Sequence, residues 1–186
     1  MHPRSPTLFG IMALAAASWM MPSGAAFAQA SPAAAQAHPI PQALRIEQKE
    51  TTEQLTLLAA KPAPVGPAAK EALALLEKHY AREREFILPP LTLLPLLADG
   101  KVTADMAWAL PMTDRVKAER EQIFNEHAET TEALNALLAA AIEANDNDAK
   151  EFAESAAGDS LTDLEILEPT ILMIGDALRA KLPAAH

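Results

Sequence analysis

HYAREREFILP, running from His79 to Pro89, decides how this chain is read, because it returns as DSLTDLEILEP from Asp159 to Pro169. Each copy sets a ligand-type polar residue ten positions before a proline, and a carboxylate four positions after that residue: Glu83 in one, Asp163 in the other. The segments upstream repeat as well. EQKETTEQLTLL starts at Glu47 and EHAETTEALNAL at Glu126. Self-similarity at a fixed period marks a repeated structural unit. A unit this long reads as a helical hairpin, so two copies make one domain and not a solenoid.

Composition agrees with helix. Half of the 186 residues are hydrophobic, and aromatics make up only 4%. Ala and Leu dominate while strand-favouring residues are thin. A chain of this length can bury a core as one domain. Cysteine is absent, which excludes disulfides and thiolate metal sites. The net charge of −10 argues against nucleic acid and against an anionic membrane surface as partner.

Residues 1–28 have the layout of a secretory signal peptide. Arg4 gives a positive start, Leu8 to Met21 is apolar and uncharged, and Pro22, Ser23 and Gly24 break the run. Ala26-Phe27-Ala28 then offers small residues at the cleavage positions. The apolar run falls short of the roughly 20 residues a bilayer-spanning helix needs. Export to a bacterial periplasm or to the outside is the expectation, with no membrane span once the signal is cut. Residues 29–40, rich in Ala, Gln, Ser and Pro, read as a flexible tether.

From 41 to 182 the periodicity predicts four long helices. The first starts at Pro41, placed in the first helical turn, and carries Leu44, Gln48, Leu55 and Leu58 on one face. KPAPVG, Lys61 to Gly66, is a turn, and Pro67 opens the second helix, with Ala72, Leu75, Leu76, His79, Glu83 and Phe86 inward. Pro89-Pro90 ends it. An apolar strip from Ile87 to Leu97 reads as a lid over one end, or else as a partner surface. Thr103 can cap a short helical turn reaching Leu110. The third helix starts at Pro111 to Thr113 and places Val116, Ile123, His127, Thr130, Thr131, Leu134 and Leu138 on one face. EANDND, Glu143 to Asp148, is a turn. The fourth helix carries Phe152, Ala156, Asp159, Asp163, Ile166 and Leu167, kinks at Pro169 and stops near Pro183. Short connections within each hairpin favour an all-α, antiparallel up-down-up-down four-helix bundle.

Polar residues interrupt each apolar stripe at one height: Gln48, His79, Glu83, His127, Asp159 and Asp163. Metal sites in bundles are built this way, from inward side chains on facing helices. Imidazole and carboxylate together suit iron, zinc or manganese. A His and a Glu at i and i+4 share a helix face and can share an ion.

Glu126-His127, and His79 with Glu83 and Pro89 in H-x-x-x-E form, resemble the hemerythrin HHE cation-binding family over roughly residues 41 to 182. The resemblance implies a four-helix bundle with a non-haem di-iron centre that binds dioxygen or senses oxygen and nitric oxide; with the residues that remain here, the iron expected is mononuclear or a weakened dinuclear pair. It would make His79, Glu83, His127, Asp163 and Asp159 the metal residues, with Gln48 and Thr131 secondary. The chain departs from the pattern at the histidine positions now held by Gln48, Asp159 and Thr131, and at Asp163 in place of Glu.

The same residues admit a blander account. A single core-face histidine is more often a hydrogen-bonded structural residue than a ligand. Glu53 and Glu132 of the repeated TTE fit a solvated face, and His2, His38 and His186 fall in removed or flexible segments. The alternative is therefore a metal-free helical bundle acting as a protein-interaction module. No nucleophile triad, phosphate loop or cysteine nucleophile is visible, so no enzymatic assignment is made.

Overall fold

A computed structural model describes residues 38–183; the expected signal peptide and all but the last residues of the tether lie outside them. The described residues are helical, with no strand among them, and no helix among them is long and apolar enough to cross a membrane. The α-helices are α1 (Gln42–Ala59), α2 (Val65–Arg82), α3 (Leu94–Ala98), α4 (Ala109–Ala118), α5 (Arg120–Ala144), α6 (Asn147–Thr162) and α7 (Glu168–Lys181). Helix α1 packs on α2, α2 on α5, α5 on α6, and α4 on α7.

Several helix ends differ from expectation. Pro41 caps α1 from outside instead of sitting in its first turn. Helix α2 starts at Val65, two residues before Pro67. Thr103 precedes a 3₁₀ turn, Ala104–Trp108, in an extended conformation, but its hydroxyl caps nothing. The expected third helix is two: α4 begins at Ala109, and the chain breaks at Glu119 (φ −100°, ψ 15°) before α5. Asn145 ends α5 in the left-handed region that Asn tolerates, and the Asp146 carboxylate then accepts from the Ala149 N–H to cap α6. Lys61 pairs with Asp146, tying the α1–α2 turn to the α5–α6 turn. His38, expected in the flexible tether, stacks on Trp108 with ring centroids 3.8 Å apart.

The repeat in sequence is also a repeat in backbone geometry. Glu83–Ile87 and Asp163–Leu167 are both π-helical turns. In the first, the Leu88 N–H donates to the Glu83 carbonyl, and in the second the Glu168 N–H donates to that of Asp163. Each turn inserts one residue and rotates the face that follows. That rotation explains Ile166: expected inward, it is 57% exposed, and Glu168 is buried instead.

Two apolar clusters form the core. The first holds Leu55 and Leu58 of α1, Ala72 and Leu76 of α2, Leu134 and Leu137 of α5, and Ala153 of α6. The second holds Phe86, Leu88 and Leu91, Val116, Ile123, Ile171 and Leu178, with Leu44 packed against it. The polar residues separate them. Going up α1 the chain passes Leu44, Gln48, then Leu55; down α2 it passes Leu76, His79, Glu83, then Phe86. Helix α5 runs Ile123, His127, Thr130, Leu134, and the α6–α7 path runs Ala153, Ser160, then Ile171. The Ile87–Leu97 strip buries Ile87, Leu88, Leu91 and Leu93 in the second cluster, leaving Leu94 and Leu96 each 40% exposed.

Helices α4 and α7 approach closely through Gly175, where an added Cβ would lie 2.5 Å from the Thr113 hydroxyl oxygen. That hydroxyl is held by donating to the Leu110 carbonyl at 3.0 Å. Gly158 in α6 has open space at its Cβ position. Gly175→Ala should therefore cost about 1–3 kcal/mol by overpacking. Gly158→Ala should gain about 0.5–1 kcal/mol from helix propensity and reduced unfolded-state entropy. Urea denaturation followed by far-UV circular dichroism separates the two signs.

Candidate functional site

The site is built on two helix faces. Helix α2 brings His79 inward, and the π turn that follows it opens on Glu83, four residues on and on the same side. Helix α5 brings His127 against them. The His79 and His127 rings meet edge to face, with centroids 4.3 Å apart and planes at 74°. All three residues are buried, at 3%, 3% and 4% exposure. One donor atom from each lies within 4.8 Å of the others. Two donors bound to one ion at about 2.1 Å can stand at most about 4.2 Å apart, so a loaded site needs all three donors within that separation.

His79 is the unusual member. Its Nε2 lies 3.2 Å from Glu83 Oε1 and its Nδ1 lies 3.7 Å from Glu126 Oε2. Neither contact has hydrogen-bond geometry, so both ring nitrogens are buried without a partner. Glu126 also faces Arg82 Nε at 3.0 Å, and Arg82 continues to Glu119, Arg115 and Glu85. His127 is better provided for. Its Nδ1 sits 3.2 Å from the Ser160 hydroxyl, which also accepts from Thr131 at 3.3 Å, leaving Nε2 as the nitrogen it has to offer. Glu83 is half committed: its Oε2 accepts from Gln48 Nε2 at 2.7 Å.

The remaining expected residues lie at the edge of this cluster. Asp163 is partly buried and Asp159 is exposed. Both border a cavity of about 20 Å³ that His79, Tyr80 and Ser160 also line. A second cavity of about 10 Å³ lies between Gln48, Glu83, Asp163 and Glu47. Each is the size of one water or a similarly small guest. A larger open groove of about 750 Å³, lined by Phe124, Leu161 and Leu164, shares no residue with the cluster.

Sequence reasoning passed over Ser160, Arg82, Glu47 and the part Glu126 plays here. Glu126 was visible as the neighbour of His127. Ser160 was hidden by the choice of Asp159, its neighbour in the chain: adjacent helical residues point about 100° apart, and the seat at His127 goes to the hydroxyl.

Crowding of acids sets the electrostatics. Burial acts to lower the His79 pKa, but Glu83 and Glu126 outweigh it and the net direction is up. Burial, then the charge of His79, bring His127 down to about 4. Burial, then Glu83 and Glu47, push Asp163 up to about 7. Glu47 is raised by burial and by Asp159 and Glu83.

These shifts pull stability in opposite directions. The folded Asp163 binds its proton more tightly than its unfolded value of 3.8, so its contribution is complete below about pH 3.8 and lost as pH rises through about 7. The folded His127 binds its proton less tightly than its unfolded 6.5, so its contribution is complete above 6.5 and lost as pH falls through about 4. In metal-free protein, Asp163→Asn should raise the melting temperature at about pH 8 and change it little at about pH 4, read by melts across that range. A gain equal at both ends would show that Asp163 ionises normally.

No family model matches this chain, and neither the curated proteins nor the solved structures contain a match to it.

Proposed function

We propose that this chain is an exported, hemerythrin-like metal-binding protein that holds iron, or another divalent metal, between His79, Glu83 and His127. The observation that carries the reading is the buried His79 with two unpartnered ring nitrogens, set beside a second imidazole and a carboxylate. A buried polar group without a partner costs about 1–3 kcal/mol, and a cation removes that cost by taking the lone pair. Two histidines and one carboxylate with open positions are the donor set of non-haem Fe(II). Support for the four-helix, up-down-up-down arrangement comes from the direction of travel. Helices α1 and α5 run from the second apolar cluster to the first, and α2 and α6 run back. The apolar run at Leu8 to Met21 supports export to the periplasm or beyond.

In this reading the chain's own residues have distinct parts. His79, His127 and Glu83 hold the ion. Ser160 fixes the ring of His127 through Nδ1, as an outer hydrogen bond fixes a ligating imidazole. Glu126 stands behind His79 Nδ1 and Arg82 behind Glu126. Bound iron would supply open coordination positions for a small guest such as dioxygen or nitric oxide. The cavities beside the cluster, about 20 and 10 Å³, have room for about one water each and refuse an organic substrate.

A second reading has one observation in its favour. The upward pKa of His79 allows an imidazolium between Glu83 and Glu126, a buried ion pair that needs no metal. The protein would then act by contact, and the groove at Phe124 and Leu161, 58% and 52% exposed, is where a partner would find apolar surface.

Metal retention separates the two. Protein stripped by chelator and reloaded with Fe(II) under anaerobic conditions should keep iron through gel filtration, and His79→Ala and His127→Ala should keep none. Ser160→Ala should weaken binding by about 10–100-fold. Free metal at a hundred times its Kd should stabilise the fold by about 2.7 kcal/mol, seen as a higher melting midpoint. Melting that ignores both chelator and metal would leave the ion-pair reading standing.

A further inference from the structure

Gln48 occupies an unexpected place for an amide. It is 6% exposed, in the polar layer, with its Nε2 donating to Glu83 Oε2 at 2.7 Å. An amide can be turned over, which would put its oxygen against the carboxylate. Arg84, in the same π turn as Glu83, prevents this: its Nη1 donates to Gln48 Oε1 at 3.0 Å. The guanidinium has only donors, so the amide oxygen must face it and the amide NH₂ must face Glu83.

This decides what Glu83 has left to give. A carboxylate that bridges two ions uses one oxygen for each. Here Oε1 faces His79 and the ion site, while Oε2 is met by the positive end of an amide dipole. A second cation on Oε2 would sit beside those N–H hydrogens and be repelled by them. The place it would occupy is otherwise suitable: the cavity of about 10 Å³ between Gln48 and Glu83 is also lined by two further acidic residues, Glu47 and Asp163.

We propose that Gln48, locked by Arg84, restricts this centre to a single ion by occupying the second oxygen of Glu83. The inference rests on the metal reading above, and its test tells the two failures apart. Metal-stripped wild-type protein is titrated with Co(II) and followed by its visible absorption, with bound metal measured independently by elemental analysis. Gln48→Glu and Arg84→Met are titrated alongside, with His79→Ala as the non-binding control. Gln48→Glu replaces the donor with a fourth carboxylate beside Glu47, Glu83 and Asp163. Arg84→Met, at an exposed position, unlocks the amide without replacing a buried residue.

The expected result is a break at one equivalent for wild type, at two for Gln48→Glu, and a second, weaker equivalent in Arg84→Met. Two equivalents in wild type would overturn the inference and leave metal binding intact. One equivalent in both variants would overturn it too, by showing that something other than this amide limits the count. No binding by wild type would remove the metal reading, and this inference with it. If Gln48→Glu does not fold, the Arg84→Met titration decides alone.

Discussion

A buried imidazole that faces two carboxylates yet completes a hydrogen bond with neither is the constraint around which the middle of this protein is arranged. His79 lies between two apolar clusters, and each helix path between those clusters crosses its level. A fold shaped by burial alone would fill that level with Leu or Ala. Instead it holds Gln48, His79, Glu83, His127, Thr130 and Ser160, all buried. Hydrogen bonds satisfy most of them: Gln48 to Glu83, His127 to Ser160, and Thr130 to the Glu126 carbonyl. His79 is the exception, and an incompletely satisfied polar layer is less stable than an apolar one.

The backbone adapts to the same layer. Both π turns start at its carboxylates, Glu83 and Asp163, and they occupy equivalent places in the repeat. An i→i+5 turn widens the helix locally and aims its first residue differently from its neighbours, which is why such turns gather at functional positions. The two copies have diverged in use. The first turn has Glu83, Phe86 and Ile87 buried, so it anchors. The second has no buried residue, so Asp163 stands at the rim of the cavities and outside the tight cluster. The outcome is one buried turn and one partly exposed turn.

Helix and repeat were legible in the sequence because both depend on spacing. Leu55, Leu76, His79, Glu83, His127 and Leu134 are all buried at positions the 3.6-residue period assigns inward. What spacing could not show was anything that breaks the period. The π turns moved Ile166 outward and Glu168 inward, and the break at Glu119 divided one expected helix into α4 and α5. The site was legible to the same extent. His79, Glu83 and His127 follow from the stripe, whereas Ser160 displaces Asp159 by a rotation of one residue, which no single-sequence pattern resolves. Arg84 was unreadable for a different reason: its partner Gln48 is 36 positions away in the chain, and only the packing of α1 on α2 joins them.

Charge gives the last step. Around His79 stand Glu47, Glu83, Glu126, Asp159 and Asp163, while Arg82 and Arg84 are the nearby cations with contacts into the layer. Arg82 is drawn to Glu119 and Glu126 on one side, and Arg84 spends its Nη1 on an amide oxygen. Neither reaches the space that Asp163 and Glu47 border. The chain therefore has two ways to bring the layer towards neutrality. It can hold protons, as the raised Asp163 at about 7 and the raised His79 indicate, or, in the metal reading proposed above, exchange them for a cation. The two are linked, because an ion that binds His79 and quiets the acids must displace the proton first. If an ion is held here, its binding must strengthen as pH rises through about 7, where Asp163 gives up its proton, and the protons released would come from the same residues that make the metal-free fold tolerable.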